Sequence, residues 1–392
     1  MARYERFVGA GLLLGVAAGL LWEAGRRYAQ ISVPRLIDWD RVVQAAIATS
    51  RKAAAEPAWS RANMSGRYAE WVERSERLIS EYTGRRLPSH LEDVRVLDRE
   101  AWIRANVDNF QLLFQPIEDL YAGMLEEKPF GIHMVGGLNQ MLLSGQMGLL
   151  LGYMAQRVLG QYDLSLLGRE PLTTGKLYFV ESNIAQLEQR LKLPGDEFRM
   201  WIALHETTHA YEFESHPWLR DYMNNMLISY FESLSHDLLG LKAQRSALRS
   251  LINRVGSNIS RSRFALELVM SPEQQRLFRQ LQALMCLVEG FSNHVMDAVG
   301  RAELPGYDVM KVRFEDRARH KSPAERFFTK LTGLDIKMEQ YRAGEQFVNT
   351  AVGLRGLPFV NRVWDSPLNL PTLDEIYNPE QWVARIERVA AA

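Results

Sequence analysis

The chain has 392 residues with 47 basic and 47 acidic side chains, so its formal net charge is zero. That balance argues against a nucleic-acid binder, which carries a basic excess. The 47% apolar fraction suits a folded protein with a sizeable core. The single cysteine, Cys286, excludes an internal disulfide and a cysteine-based metal cluster, so any metal must take His, Asp or Glu ligands.

The first feature in chain order is an apolar run, residues 7–22, FVGAGLLLGVAAGLLW, with Arg3 and Arg6 before it and Arg26 and Arg27 after it. Its sixteen residues fall short of the ~20 that a spanning helix needs, and the stretch WEAGRRYAQ at its end makes a poor signal-peptide cleavage site. Gly11, Gly15 and Gly19 form a ridge of small residues, and Ser144, Gly148 and Gly152 form another. Such ridges let helix backbones approach closely. The preferred reading packs these two helices together within the fold, with a membrane-surface contact through residues 7–22 as the alternative. A cytoplasmic location is expected.

Asp38 is placed to cap a helix over 38–55, and a second helix is expected through about 62–82. Residues 83–97 read as a loop with a short extended piece. Asp98 should cap a long helix that stops before Pro116. Residues 128–137 read as a linker, followed by the glycine-ridge helix to about Tyr162. KLYFVES, 176–182, is the clearest strand. After it come a helix NIAQLEQRL, a turn at Pro194-Gly195 and a helix capped by Asp196. A long helical region is expected over 218–255. Ser271-Pro-Glu-Gln and Ser322-Pro-Ala-Glu both read as capping boxes, the first opening a helix that ends near Gly300. The tail is punctuated by prolines. The whole predicts an α+β fold, predominantly helical, with a small sheet. Three regions are expected: a helical one over 1–130, a catalytic core over 131–300, and a C-terminal helical region and tail over 301–392.

The helix behind Asp196 carries HETTH, residues 205–209. His205 and His209 are one turn apart on one helix face, where a single ion can bridge both imidazoles. Glu206 is rotated by ~100° and flanks that ion instead of binding it. Zinc lowers the pKa of the water it holds to ~7, and Glu206 is the candidate base for its proton. Chance gives HExxH about 0.01 times in a chain of this composition. The other reading is a helix whose histidines bond to core carboxylates.

A catalytic zinc takes three protein ligands and keeps one position open. His216 lies seven residues past His209 and misses the metzincin spacing, and Glu212 stands where that pattern has glycine. Glu212 lies on the histidine face, with a supporting or surface role expected. The favoured third ligand is Glu289, in CLVEGFSNHVMD, a carboxylate in an apolar stretch that needs a partner. Asn293 and Asp297 on the same helix are candidates to orient a histidine, and Cys286 reads as packing. Tyr341, His294 and His320 are candidates to stabilise an oxyanion, with Tyr341 taken as the catalytic partner of Glu206.

HETTHAYEF with PWLR, LVEGFSNHVMD, GLDIKMEQYRAGEQF, VWDSPLNLPTLDEI, IDWD and VRVLDREAWIRANVDNFQLL together resemble the zincin-like hydrolases of actinobacteria and chloroflexi, over about residues 37–390. That family is associated with biosynthesis of a deazaflavin coenzyme, although no dinucleotide or flavin motif occurs here. The resemblance implies a zincin-like metalloprotease fold and a Zn2+-dependent hydrolase, most simply a peptidase. In it His205, His209 and Glu289 are the ligands and Glu206 the base. The expected partner is a peptide or small-molecule substrate. The alternatives are a non-catalytic binding protein on a zincin scaffold and a membrane-surface protein.

Overall fold

The computed structural model describes residues 35–51, 61–125, 130–163, 175–241, 270–319 and 334–391. In chain order the elements are α1 (Trp39–Ser50), α2 (Arg61–Thr83), β1 (Val94–Leu97), α3 (Arg99–Leu125), α4 (Phe130–Ala155), β2 (Gly160–Asp163), β3 (Lys176–Val180), α5 (Glu181–Leu191), α6 (Gly195–Glu214), α7 (Pro217–Leu241), α8 (Pro272–Glu303), α9 (Tyr307–Arg319) and α10 (Leu334–Arg355). The tail adds α11 (Leu357–Val360), two 3-10 turns (Asn361–Trp364, Pro367–Asn369), α12 (Leu373–Tyr377) and α13 (Pro379–Ala391). The fold is therefore α+β and predominantly helical, with one small mixed sheet.

Leu177, Tyr178, Phe179 and Val180 of β3 are all buried, because the strand is the middle one of three. β1 runs parallel to it, with Val94 opposite Leu177 and Leu97 opposite Val180. β2 runs antiparallel, with Gly160 opposite Phe179 and Asp163 opposite Lys176. An added peptide strand would therefore have β1 or β2 as its neighbour, not β3, whose two edges are taken. β3 ends at Val180, two residues earlier than expected. Glu181 starts α5, and its buried carboxylate receives Tyr68 Oη at 2.6 Å and Arg199 Nη2 at 2.5 Å, tying α2 to α6.

Local signals place several ends. The Asp38 side chain accepts from Arg41 N, and Ser271 with Gln274 forms a reciprocal capping box. The second capping box, at 322–325, lies outside the described residues, as do 242–269 of the expected long helix. Asp196 is not a cap: α6 begins one residue earlier behind Pro194, and Asp196 pairs with Arg67 at 2.5 Å.

Three expectations fail for tertiary reasons. α3 continues through Pro116 to Leu125. Beyond the proline, Glu118 accepts the Ile37 N–H at 3.1 Å, a tertiary contact that ties the far part of the helix to the start of α1. Residues 130–137, read as a linker, are the first turns of α4. That helix stops at Ala155, and Gly160–Asp163 is a strand because β3 is there to pair with it.

The Ser144–Gly148–Gly152 ridge is filled by α1, which runs alongside α4 in the same direction. Asp38 N donates to Ser144 Oγ at 2.8 Å and Gln156 Nε2 to Thr49 O at 2.8 Å. A Cβ on Gly148 would lie 2.5 Å from Ala45 Cβ. The expected pairing of this ridge with Gly11–Gly19 is displaced on the α4 side, and its other half lies outside the described residues.

Most of the buried apolar side chains form one cluster that runs from Tyr68 to Ile386 and takes in α6, α8 and the tail. A smaller cluster joins α1, α3 and α4 to Val180.

Candidate metal centre

α6 is buried along nearly its whole length. α8 packs against it, and the two helices bring the sequence candidates together. His205 Nε2 and His209 Nε2 are 3.2 Å apart. Glu289 Oε2 lies 3.8 Å from the first and 4.0 Å from the second. Among the described residues these three form the one group of three or more His, Cys, Asp or Glu side chains able to share a metal ion. A tetrahedral ion with bonds of about 2.0–2.2 Å holds its ligand atoms about 3.3–3.6 Å apart, so this donor set fits such an ion after a shift of a few tenths of an ångström at Glu289. The side chains of His205 and Glu289 keep 21% and 20% of their exposure, which leaves an approach from solvent.

Glu289 is placed by a close helix crossing. α10 passes α8 where both backbones carry glycine, and a Cβ on Gly344 would overlap the carbonyl of Cys286, while one on Gly290 would overlap Gly344 itself. The residue next to Gly290 is thereby fixed toward α6. Cys286 is buried packing one turn earlier, its thiol pushed up to about 12 by burial and by Glu289.

Glu206 meets the sheet. β2 bonds to β3 through Leu159, whose carbonyl accepts Val180 N–H at 2.8 Å. By the alternation of an antiparallel ladder, Gly160 and Tyr162 then turn their backbone groups outward. The Tyr162 N–H donates to the Glu206 carboxylate. Gly160 makes this possible: a Cβ there would lie 2.5 Å from Glu206 Cγ and 2.7 Å from Oε1. Without a cation, burial and the charge of Glu289 push Glu206 up to about 8, against the pull of the Tyr162 N–H.

The second imidazole is supported from behind. His209 Nδ1 lies 3.0 Å from Glu212 Oε2 and 3.0 Å from Ser292 Oγ. Glu212 is wholly buried, and burial first, then Glu289, raises its carboxyl well above the ordinary range. A carboxylate on Nδ1 fixes the tautomer that leaves Nε2 free to ligate. Ser292 is not among the sequence candidates. It is three residues past Glu289, hence on the same face of α8, and it takes the orienting role expected of Asn293 or Asp297. Asp297 instead pairs with Lys311. His205 Nδ1 is buried and has no hydrogen-bond partner among the described residues. Burial lowers both histidines, His205 to about 4, so neither needs to shed a proton near neutral pH to become a ligand.

The remaining candidates separate. His216 Nδ1 bonds to the Glu212 carbonyl at 2.8 Å, and its ring stacks on Trp364, so it is a core histidine. His294 is held by Tyr82 Oη at 2.8 Å and Asn349 Oδ1 at 2.6 Å. The side chain of Tyr341 and the whole of His320 lie outside the described residues.

Residues 37–383 match a family model described as a zincin-like metallopeptidase. The chain belongs to that zincin-like metallopeptidase family. It is also similar, at 41% identity, to a chain of known structure from Chloroflexus aurantiacus, described as "a putative hydrolase with a novel fold". The likeness covers 90% of this chain and 99% of that one, with a TM-score of 0.66. No curated protein matches. Neither comparison bears on a deazaflavin coenzyme. No helix among the described residues is long and apolar enough to cross a membrane.

Proposed function

We propose that this zincin-like chain is a zinc-dependent hydrolase of peptide bonds. The observation that carries the reading is the triangle of His205 Nε2, His209 Nε2 and Glu289 Oε2, with edges of 3.2, 3.8 and 4.0 Å and a carboxylate base beside it. These three residues would hold the ion, and the family to which the chain belongs favours zinc for it. Zinc, when bound, supplies Lewis acidity that makes water nucleophilic near neutral pH.

The rest of the work falls to side chains. Glu206 accepts the proton of the attacking water at its carboxylate and returns it to the leaving amine. The Tyr162 N–H holds that carboxylate still, and Gly160 leaves it room. Glu212 and Ser292 orient His209. Tyr341 remains a candidate donor to the oxyanion that develops on the scissile carbonyl.

Metal analysis of purified wild-type protein and of Glu206→Gln, with turnover of a fluorogenic peptide library, tests the reading. One zinc per chain in both proteins is expected, with hydrolysis lost by about 10²–10⁴-fold in the variant. Equal turnover in Glu206→Gln, or a chain that binds no metal, would contradict it.

A further inference from the structure

The two imidazoles of the metal triangle differ behind the ring. His209 Nδ1 has Glu212 and Ser292 beside it, whereas His205 Nδ1 is buried with no hydrogen-bond partner among the described residues. With Nε2 turned to the metal position, Nδ1 carries the ring proton and is a donor that needs an acceptor. Three more buried polar atoms without a partner among the described residues lie on the elements around it. They are Trp201 Nε1 on α6, Asp297 Oδ1 on α8 and Tyr307 Oη at the start of α9.

The register of the two helices brings these atoms to one level. Glu289 of α8 stands at His205 and His209. Further along α8, a Cβ on Gly300 would lie 3.5 Å from Trp201 Cδ1, and Trp201 is one turn before His205. Asp297 falls between these two contacts. The same Cβ on Gly300 would lie 2.9 Å from Tyr307 Cδ2, which places the phenol ring at that level too. Charge agrees with position. After burial, Asp297 is the next influence on His205 and raises it, and burial followed by Asp297 raises the Tyr307 phenol. Lys311 of α9 takes Asp297 Oδ2, which leaves Oδ1 over. A buried donor and a buried acceptor at one level, without a direct bond, call for a bridging group with polar contacts on both sides.

Resting on the zinc reading above, we propose that a buried water accepts the His205 Nδ1–H and donates to Asp297 Oδ1 and Tyr307 Oη, which makes Asp297 the positioning residue of the first zinc ligand. Buried waters make about three hydrogen bonds, to groups that would otherwise be unsatisfied. The link fixes the tautomer and the ring plane of His205, and the carboxylate beyond the water strengthens the imidazole as a ligand. Glu212 does the same for His209 by direct contact, so each imidazole has a carboxylate behind it.

Competition with a chelator reads zinc affinity in the full chain and in Asp297→Ala, Asp297→Asn and Lys311→Met, and the visible spectrum of the cobalt(II) form reads ligand geometry. Asp297→Ala is expected to lose about 10–100-fold in affinity and to shift the cobalt spectrum. Asp297→Asn keeps an acceptor and is expected to recover most of that loss. Lys311→Met breaks the ion pair but keeps the carboxylate, and is expected to bind zinc as the wild type does. Unchanged affinity in Asp297→Ala overturns the proposal and leaves the metal site standing. Equal losses in Asp297→Ala and Lys311→Met also overturn it, because the ion pair would then be the cause. A wild type that takes up no zinc removes the zinc reading and this proposal with it. Should Asp297→Ala fail to fold, crystals of the wild-type zinc form decide. A water bonded to both His205 Nδ1 and Asp297 Oδ1 is expected there, and any other partner on Nδ1 overturns the proposal.

Discussion

α6 and α4 are both long helices in which apolar composition and burial part company. α6 carries Glu206, Thr207, Thr208, Glu212 and Glu214, and all of them are buried. α4 reads FGIHMVGGLNQMLLSGQMGLLLGYMA, nearly free of charge, yet Met141, Leu142 and Leu149 face outward. In α6 several of the buried polar groups meet partners outside the helix: Glu206 meets the Tyr162 N–H, His209 meets Ser292, and Glu214 receives the Gly175 N–H at 2.7 Å. In α4 the neighbours α1 and α3 cover one side, and among the described residues nothing covers Met141, Leu142 and Leu149. A polar side chain is kept inside when a specific partner waits for it, and an apolar one stays outside when nothing packs on it.

The sharpest way to break the α6 side is to disturb the crossing that presents Glu289. Gly344→Ala puts a Cβ into the backbone of Cys286. It should destabilise the protein by about 3 kcal/mol or more, because two backbones must move apart, and chemical denaturation measures it. A neutral result would mean that the crossing is looser than this geometry requires.

The next effect is one of pH in the metal-stripped protein. Glu206 sits at about 8 in the fold against an ordinary 4.5. Its contribution to stability is thus fully present below about 4.5 and is lost as pH rises through about 8. His205 acts in the other direction, from 6.5 down to about 4: its contribution is present above 6.5 and lost as pH falls through 4. Between pH 6.5 and 8 the slope assigned to this pair therefore belongs to Glu206. Urea melts of the stripped protein should show a loss across that window to which Glu206 contributes of the order of 2 kcal/mol, on top of the loss from Glu212, whose carboxyl is raised as well, and the loss should be smaller by that amount in Glu206→Gln. The same slope in both proteins would move the titrating group elsewhere.

Glu212→Gln should cost about 10–100-fold in zinc affinity, with little change in the melting temperature of the metal-free form, because a near-isosteric amide replaces a buried carboxyl. Titration with a competing chelator reads the difference. Unchanged affinity would make Glu212 a packing residue. On the α4 side, Leu142→Ser and Leu149→Ser should each change stability by no more than about 0.5 kcal/mol, as exposed positions do. A larger loss in a thermal melt would show that this face is covered after all.

The same contrast explains what the sequence could tell. HETTH is a local pattern in which ligand spacing equals helical pitch, so His205, Glu206 and His209 were legible from one turn of chain. Glu289 was reachable because a carboxylate in the apolar stretch CLVEGF demands a partner. Ser292 was not, since a serine on the ligand-bearing face of α8 means little until α6 is known to cross it. Glu212 stood out by its position on the histidine face, but its complete burial follows from three-dimensional packing. In the fold, capping residues such as Asp38 and Ser271 fixed their helices, while Pro116 misled because the helix beyond it is held by a contact 81 positions away, the Ile37 N–H donating to Glu118. GQYD has no strand character of its own and becomes β2 only beside β3.

The proposed function stands or falls on one divalent cation held between α6 and α8. Anomalous diffraction at the zinc edge, from crystals grown with zinc, tests it most directly. A single strong peak is expected, bonded to His205 Nε2, His209 Nε2 and Glu289 Oε2 at about 2.0–2.2 Å. A zinc-soaked crystal with those three atoms unligated, whether the peak is missing or lies elsewhere, would contradict it.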